Sequence, residues 1–194
     1  MTPLKLGVLL SGRGSNMEAI LKNCLSGKLN AEIAVVISNK KEAGGLEVAR
    51  THNIPAITIN PKTFSDKERY ESEIVSQLNQ ASVDLVILAG YMRLVGQVML
   101  NAFPKQIMNI HPSLLPKFKG LNAQKQALDA KESESGCTVH FVDKTLDGGP
   151  IIDQEIVKIY PNDTEESLSS RILKKEHILY SRVIDAYIRN FKRT

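Results

Sequence analysis

Apolar residues run almost unbroken from Leu4 to Leu10 and stop at Ser11-Gly12. A run of that length, apolar at both alternating sets of positions, fits a strand buried on both faces. From Met17 the spacing changes: Met17, Ile20, Leu21, Cys24 and Leu25 recur with a helical period, Ser15 or Asn16 stands where a cap belongs, and Gly27 stands where the helix would end. The alternation then repeats, with a strand over Ile33 to Ser38, a helix over Gly45 to His52, a strand over Ala56 to Ile59, a helix over Asp66 to Gln80 and a fourth strand over Asp84 to Ala89. Strands alternating with helices across short connections predict an α/β fold: a doubly wound, mostly parallel, Rossmann-like sheet with helices on both faces. Such sheets take their ligands beyond the carboxyl ends of the strands, so Ser11 to Asn16, Gly90 to Val95 and the residues after Ile110 are expected at one rim.

Past Ile110 the pattern gives way to a stretch punctuated by Pro and Gly, His111 to Gly120, followed by a short helix over Ala123 to Lys131 and a polar turn over Lys131 to Gly136. Cys137 to Val142 and Ile151 to Ile159 read as two strands joined through Asp147-Gly148-Gly149-Pro150. A last helix starts near Asp163-Thr164, with Glu166 three residues after Asp163 in the manner of a capping box, and runs to about Phe191. No repeat or linker interrupts the pattern, so 1–194 is expected to be one domain, its site shared between an N-terminal half, 1–100, and a C-terminal half, 101–194.

Composition narrows the class. The chain has 194 residues, 42% of them hydrophobic, enough for a core that needs no staples. The net charge of +4 is dispersed apart from Arg189, Lys192 and Arg193 near the end, which favours a solvated tail over a nucleic-acid patch. Cys24 and Cys137 are far apart and form no CxxC pair, so neither a disulfide framework nor a zinc site is expected, and His52, His140 and His177 have no metal-ligand spacing. No apolar stretch approaches the roughly 18 residues of a membrane span, and the N-terminal run is too short for a secretory signal. A cytoplasmic protein that engages neither membrane nor nucleic acid is expected.

Three groups of residues are candidates for chemistry. Ser11-Gly12-Arg13-Gly14-Ser15-Asn16 lies between a strand and a helix start, where backbone N–H groups and the helix dipole both favour an anion. It lacks the third Gly of a dinucleotide loop, since Met17 stands there, and the Gly-Lys-Ser/Thr of a Walker loop; a site for one phosphate remains, with the Ser15 hydroxyl and Asn16 amide as extra donors. Asn109 and His111, two apart on a strand, should face the same side while Ile110 enters the core, placing an amide beside an imidazole suited to steady an oxyanion and move a proton. Asp147 precedes a Gly-Gly-Pro tip, and its carboxylate, if folded over the rim, would favour the charged form of His111. Lys174-Lys175-Glu176-His177 reads by itself as a solvated helix face.

Together Ser11-Gly12-Arg13-Gly14-Ser15-Asn16, Leu88-Ala89-Gly90-Tyr91-Met92-Arg93, Asn109-Ile110-His111-Pro112-Ser113-Leu114-Leu115-Pro116 and Leu146-Asp147-Gly148-Gly149-Pro150 resemble the phosphoribosylglycinamide formyltransferases of purine synthesis, in the same order along about the whole chain. The resemblance implies transfer of a formyl group from 10-formyltetrahydrofolate, a co-substrate, to the amine of glycinamide ribonucleotide, without a metal. It implies that Gly14, Ser15 and Asn16 hold the substrate phosphate, that Glu176 contacts its ribose portion, and that Asn109, His111 and Asp147 are catalytic. For the folate it implies Met92, Arg93, Leu94 and Val95 along the pterin, Asp143, Lys144, Thr145, Leu146 and Asp147 as a closing loop with Asn109 beside it, and Lys67 where the family often has Arg. Asn122 stands where many members have His. Either a monomer or a homodimer is compatible. Other readings are a different folate formyltransferase or a formyl-folate hydrolase, both of which add domains for which 194 residues leave no room, and a nucleotide-binding module without catalysis, which would leave Asn109, His111 and Asp147 unexplained.

Overall fold

The computed structural model describes residues 2–191. Its strands are β1 (Leu4–Leu10), β2 (Ala31–Ser38), β3 (Ala56–Thr58), β4 (Leu85–Leu88), β5 (Ile107–His111), β6 (Glu134–Phe141) and β7 (Ile151–Lys158). Its helices are α1 (Ser15–Leu25), α2 (Gly44–Thr51), α3 (Lys67–Gln80), α4 (Gln97–Ala102), α5 (Ala123–Asp129) and α6 (Glu165–Phe191). The seven strands form one sheet in the order β3-β2-β1-β4-β5-β6-β7, parallel from β3 to β5 and antiparallel at β5–β6 and β6–β7. The order reverses between β1 and β4, and a crevice opens beyond their carboxyl ends for the reason anticipated above.

Alternation along each strand sends side chains into two separate cores. Leu6, Val8, Leu85, Ile87, Met108, Ile110, Cys137 and Val139 pack with α1, α2 and α6 on one face. Leu9, Val35, Ile37, Val86, Leu88 and Ile107 pack with α3 and α4 on the other. Asn109, His111, Thr138 and His140 alternate with residues of the first core, so they project on the α3–α4 face, beyond the part of it that Ile107 fills. The fully buried Tyr180 of α6 sets its hydroxyl 2.9 Å from the Met108 carbonyl and 3.1 Å from that of Leu88, tying β4 to β5 just behind the site.

Several elements differ from the sequence expectation. α1 takes Gly14, not Ser15 or Asn16, as its N-cap, because the loop turns into the helix through a left-handed backbone (φ 80°) and a Cβ at Gly14 would come within 2.8 Å of the Gly45 Cα. α4 lacks a sequence signal: it has six residues, and its N-terminus is capped from α3 by the buried Glu71, which accepts from Gly96 N (2.5 Å) and Met99 N (3.4 Å). β6 begins at Glu134, inside the expected polar turn, because Glu134, Ser135 and Gly136 pair with Lys158, Val157 and Ile156 of β7 and Gly136 has no Cβ to strike the Glu155 carbonyl. The cap of α6 is Thr164 with Ser167, which exchange backbone N–H bonds at 3.2 and 3.0 Å, whereas Asp163 is drawn off into an ion pair with Arg171. In the tail Arg189 pairs with Asp185, and Lys192 and Arg193 lie outside the described residues. Among the described residues no helix is long and apolar enough to cross a membrane.

Candidate active site

The first part of the site is built at the topological switch. The end of β1 is fixed by Ser11, whose N–H donates to the Gly90 carbonyl (3.0 Å) and whose hydroxyl donates to Asn39 (2.6 Å) and accepts from Met92 N–H (2.8 Å). One buried serine thus joins the glycine loop to the segment after β4. The first intrahelical bond of α1 is Glu18 N–H to the Gly14 carbonyl, so the N–H groups of Ser15, Asn16 and Met17 precede it at the positive end of the helix dipole. They open into a cleft of about 280 Å³ between the Ser11–Asn16 loop and Ala89, Gly90 and Met92. Arg13, exposed at the mouth, adds a cation that motif reasoning passed over because the loop's geometry depends on its glycines. The Asn16 amide is turned inward to donate to Glu176 of α6 (2.8 Å), which leaves the Ser15 hydroxyl and the backbone N–H groups as the donors of this loop available to a ligand. Burial pushes the Glu176 carboxyl above its usual range, against the stabilising bond from Asn16. Glu176 is therefore buried beneath the cleft rather than on a solvated face.

The second part assembles from the carboxyl-terminal half of β5, the end of β6 and the loop that follows β6. Asn109 lies directly opposite His140 across the β5–β6 ladder, and His111 opposite Thr138. The Asn109 Nδ2 is 3.2 Å from His140 Nε2 and 3.5 Å from Asp147 Oδ1. His140 Nδ1 faces the Phe141 carbonyl at 2.9 Å, an acceptor only, so that nitrogen carries the proton and Nε2 is free to accept from Asn109. Burial holds the His140 imidazolium below its ordinary pKa range, consistent with that neutral ring. Asp147 takes a left-handed backbone (φ 45°) at the head of the Gly-Gly-Pro tip, which brings its carboxylate over the rim to within 3.4 Å of His111 Nδ1. Asn109, His111 and Asp147 are thereby brought together, two of them at most one-tenth exposed.

Around this centre lie the remaining candidates. Met92 and Leu94 are each 62% exposed, and Leu146 of the 143–147 loop is 51% exposed, an apolar lining presented to solvent. Val95 instead turns its side chain toward the second core. The 143–147 loop is closed by Asp143, which accepts from Thr145 N (2.8 Å) and Oγ1 (2.5 Å), and these bonds hold its carboxyl below the usual range. Lys144 is exposed on the same loop. Arg93 stacks over the Tyr70 ring at 5.1 Å, and Tyr70 shares a 2.7 Å hydroxyl contact with Tyr91. Lys67 leans toward Glu71 at 3.8 Å, so its ammonium is shared with a neighbour on its own helix. Asn122 serves as the left-handed N-cap of α5 (φ 58°). Among the described residues no three His, Cys, Asp or Glu side chains cluster as metal ligands.

A family model described as formyl transferase matches residues 4–184. The chain belongs to the formyl transferase family. It is 39% identical over 181 residues to the phosphoribosylglycinamide formyltransferase of Escherichia coli (strain K12), covering 93% of this chain and 85% of that relative. It is 44% identical over 182 residues to the trifunctional purine biosynthetic protein adenosine-3 of Chironomus tentans, and there it spans only 13% of the relative's length. Among solved structures it resembles glycinamide ribonucleotide transformylase 1 from Symbiobacterium toebii with a TM-score of 0.96 at 45% identity, covering 97% of this chain and 89% of that one. A phosphoribosylglycinamide formyltransferase from Bacillus halodurans follows with a TM-score of 0.92 at 44% identity, over 95% of both chains. For a formyl transferase, the residue that sequence reading passed over is His140: alone in the sequence it carries no spacing signal, and only the β5–β6 register sets it against Asn109. His52, by contrast, is an exposed ring bound to its own helix at the Val48 carbonyl.

Proposed function

We propose that this formyl transferase moves the formyl group of 10-formyltetrahydrofolate to the amine of glycinamide ribonucleotide, a step of purine synthesis, by direct attack. The observation that carries the reading is the meeting of Asn109, His111 and Asp147 within one hydrogen-bonded cluster beside a helix N-terminus suited to a phosphate. The relatives' names support the choice of acceptor. The backbone at Gly14, Ser15 and Asn16 holds the phosphate, and Glu176, which accepts from the Asn16 amide, anchors the ribose. Met92, Leu94 and Leu146 offer apolar surface for the flat pterin, Arg93 to Val95 and Asp143 to Asp147 border it, and Lys67, Lys144 and Arg93 supply cations for the folate's carboxylates.

In the transfer the amine nitrogen adds to the formyl carbon and its oxygen takes up negative charge, which N–H donors of Asn109 and His111 stabilise. The bond from carbon to the folate nitrogen then breaks, and the proton lost by the amine passes by way of Asp147 and His111 to that leaving nitrogen, so no proton is left over. Removing one such donor typically costs about 2.7–4 kcal/mol of barrier lowering. The test is to mix the protein with 10-formyl folate and follow folate absorbance with and without glycinamide ribonucleotide. Deformylation only in the presence of the ribonucleotide, with formylated product recovered, is expected. Deformylation at the same rate without it would indicate a hydrolase and overturn the proposal, and so would the absence of any turnover.

A further inference from the structure

We propose that Phe118 to Gly120 is a backbone bracket that positions His111 and Asp147, propped from behind by Gln126; the inference rests on the reading of those two residues as the acting pair. The Phe118 carbonyl lies 2.8 Å from His111 Nε2, and the Gly120 N–H donates to Asp147 Oδ2 at 2.9 Å. A carbonyl can only accept, so Nε2 must carry a hydrogen, and the ring is turned with Nδ1 toward Asp147 and the space above it. The 3.4 Å separation of Nδ1 from Asp147 is looser than the bond at Nε2, so it is the carbonyl, more than the carboxylate, that orients the imidazole.

Both bonding residues have left-handed backbones, Phe118 at φ 57° and Gly120 at φ 77°. Glycine adopts this conformation without penalty, whereas a bulky aromatic residue there is strained, and such strain persists only where the surroundings impose it. The surroundings are present. Ser113 holds the Lys117 carbonyl at 2.6 Å, and the Gln126 side-chain amide, one turn into α5, donates to the carbonyls of Lys119 (3.3 Å) and Leu121 (2.9 Å). Every carbonyl from Lys117 to Lys119 is thus gripped, those on either side by supporting side chains and that of Phe118 by His111. A plain surface loop has no need of this arrangement, and the Gln126 amide bonds the loop backbone, not His111 or Asp147.

The experiment compares Phe118→Asn, which loses the ring but tolerates the left-handed backbone, with Phe118→Val, a β-branched residue that does not, and with Gln126→Ala, which removes the prop. Two readouts are taken: kcat and KM for each substrate, and the ¹⁵N–¹H imidazole resonances of His111 in the protein without substrates. Phe118→Val and Gln126→Ala are expected to lower kcat by about tenfold or more while KM for either substrate moves by less than about threefold. The His111 Nε2–H signal should weaken or exchange faster in both, and Phe118→Asn should keep the signal and most of kcat. Should Phe118→Val not fold, Gln126→Ala decides the matter. An unchanged Nε2–H signal in Gln126→Ala, or a loss in Phe118→Asn as deep as in Phe118→Val, would overturn the bracket. Because the resonance is read without substrate, it separates failure of the bracket from failure of the proposed activity.

Discussion

Replacing Asp147 by Asn removes one charge from the centre of the site at nearly constant shape. The carboxylate meets four groups: Oδ2 lies 2.9 Å from Gly120 N and 3.4 Å from His111 Nδ1, and Oδ1 lies 3.5 Å from Asn109 Nδ2 and 3.7 Å from His140 Nε2. An asparagine retains one acceptor for Gly120, so the loop should stay folded. For the imidazolium form of His111, unit charges 3.4 Å apart attract by about 5 kcal/mol at an effective dielectric constant of about 20. Solvent entering the site offsets part of that, which brings the expected loss into the range of about 2.7–4 kcal/mol seen for single stabilising groups. We expect kcat to fall roughly a hundred- to a thousandfold, with KM for both substrates within about threefold, in steady-state assays of folate absorbance. His111→Ala should cost as much or more. The double variant decides: residues serving one step are non-additive, so it should be little slower than His111→Ala alone. If the two penalties multiply, the carboxylate works independently of the imidazole, and their pairing is refuted.

Ser15→Asp sets a negative charge at the helix N-terminus that faces the cleft, and should raise KM for the ribonucleotide at least about tenfold while leaving folate affinity unchanged; an unmoved KM would take the phosphate from this loop. Burial depresses His140 and His177, so the unfolded chain binds more protons than the folded one just below pH 6.5, and stability is lost as pH falls from about 7 toward 5. Asp163 and Glu155, held low by Arg171 and Arg182, act in the same sense at lower pH, while Glu176, raised by burial, opposes them. Thermal midpoints measured across that range should therefore drop, and His177→Gln should flatten the upper part of the slope; an identical slope would exclude the histidine contribution. Burial also lifts the Cys24 and Cys137 thiols to about 11 and about 12, so both should resist alkylation at pH 8 in the folded protein and react on unfolding. Mass spectrometry that finds Cys137 modified under native conditions would contradict its place in the core.

Much of this molecule could be read from its residues in order, because local physics decided it. The unbroken apolar runs of β1 and β4 require burial on both faces, and with helices between them only a parallel sheet with two cores satisfies that. The glycine loop announces a helix start at the rim because strand, glycines and helix are contiguous, and Asn109 and His111 declare a shared face because a strand has a period of two. The helix expected over Asp66 to Gln80 forms as α3, one residue shorter because Asp66 is its N-cap and accepts from Arg69 N at 2.8 Å.

What the linear order could not contain are relations between distant residues. Glu71 caps α4 across 25 positions, so a six-residue helix forms without any signal of its own. His140 meets Asn109 only through a cross-strand register, Asn16 is turned from the cleft by Glu176 160 positions away, and His111 Nε2 meets the carbonyl of Phe118, a backbone group that carries no motif. Local propensity and period act within a few residues, whereas orientation, protonation and capping at a site depend on which buried polar groups must find partners once the sheet has closed. That matching is settled only by the tertiary structure.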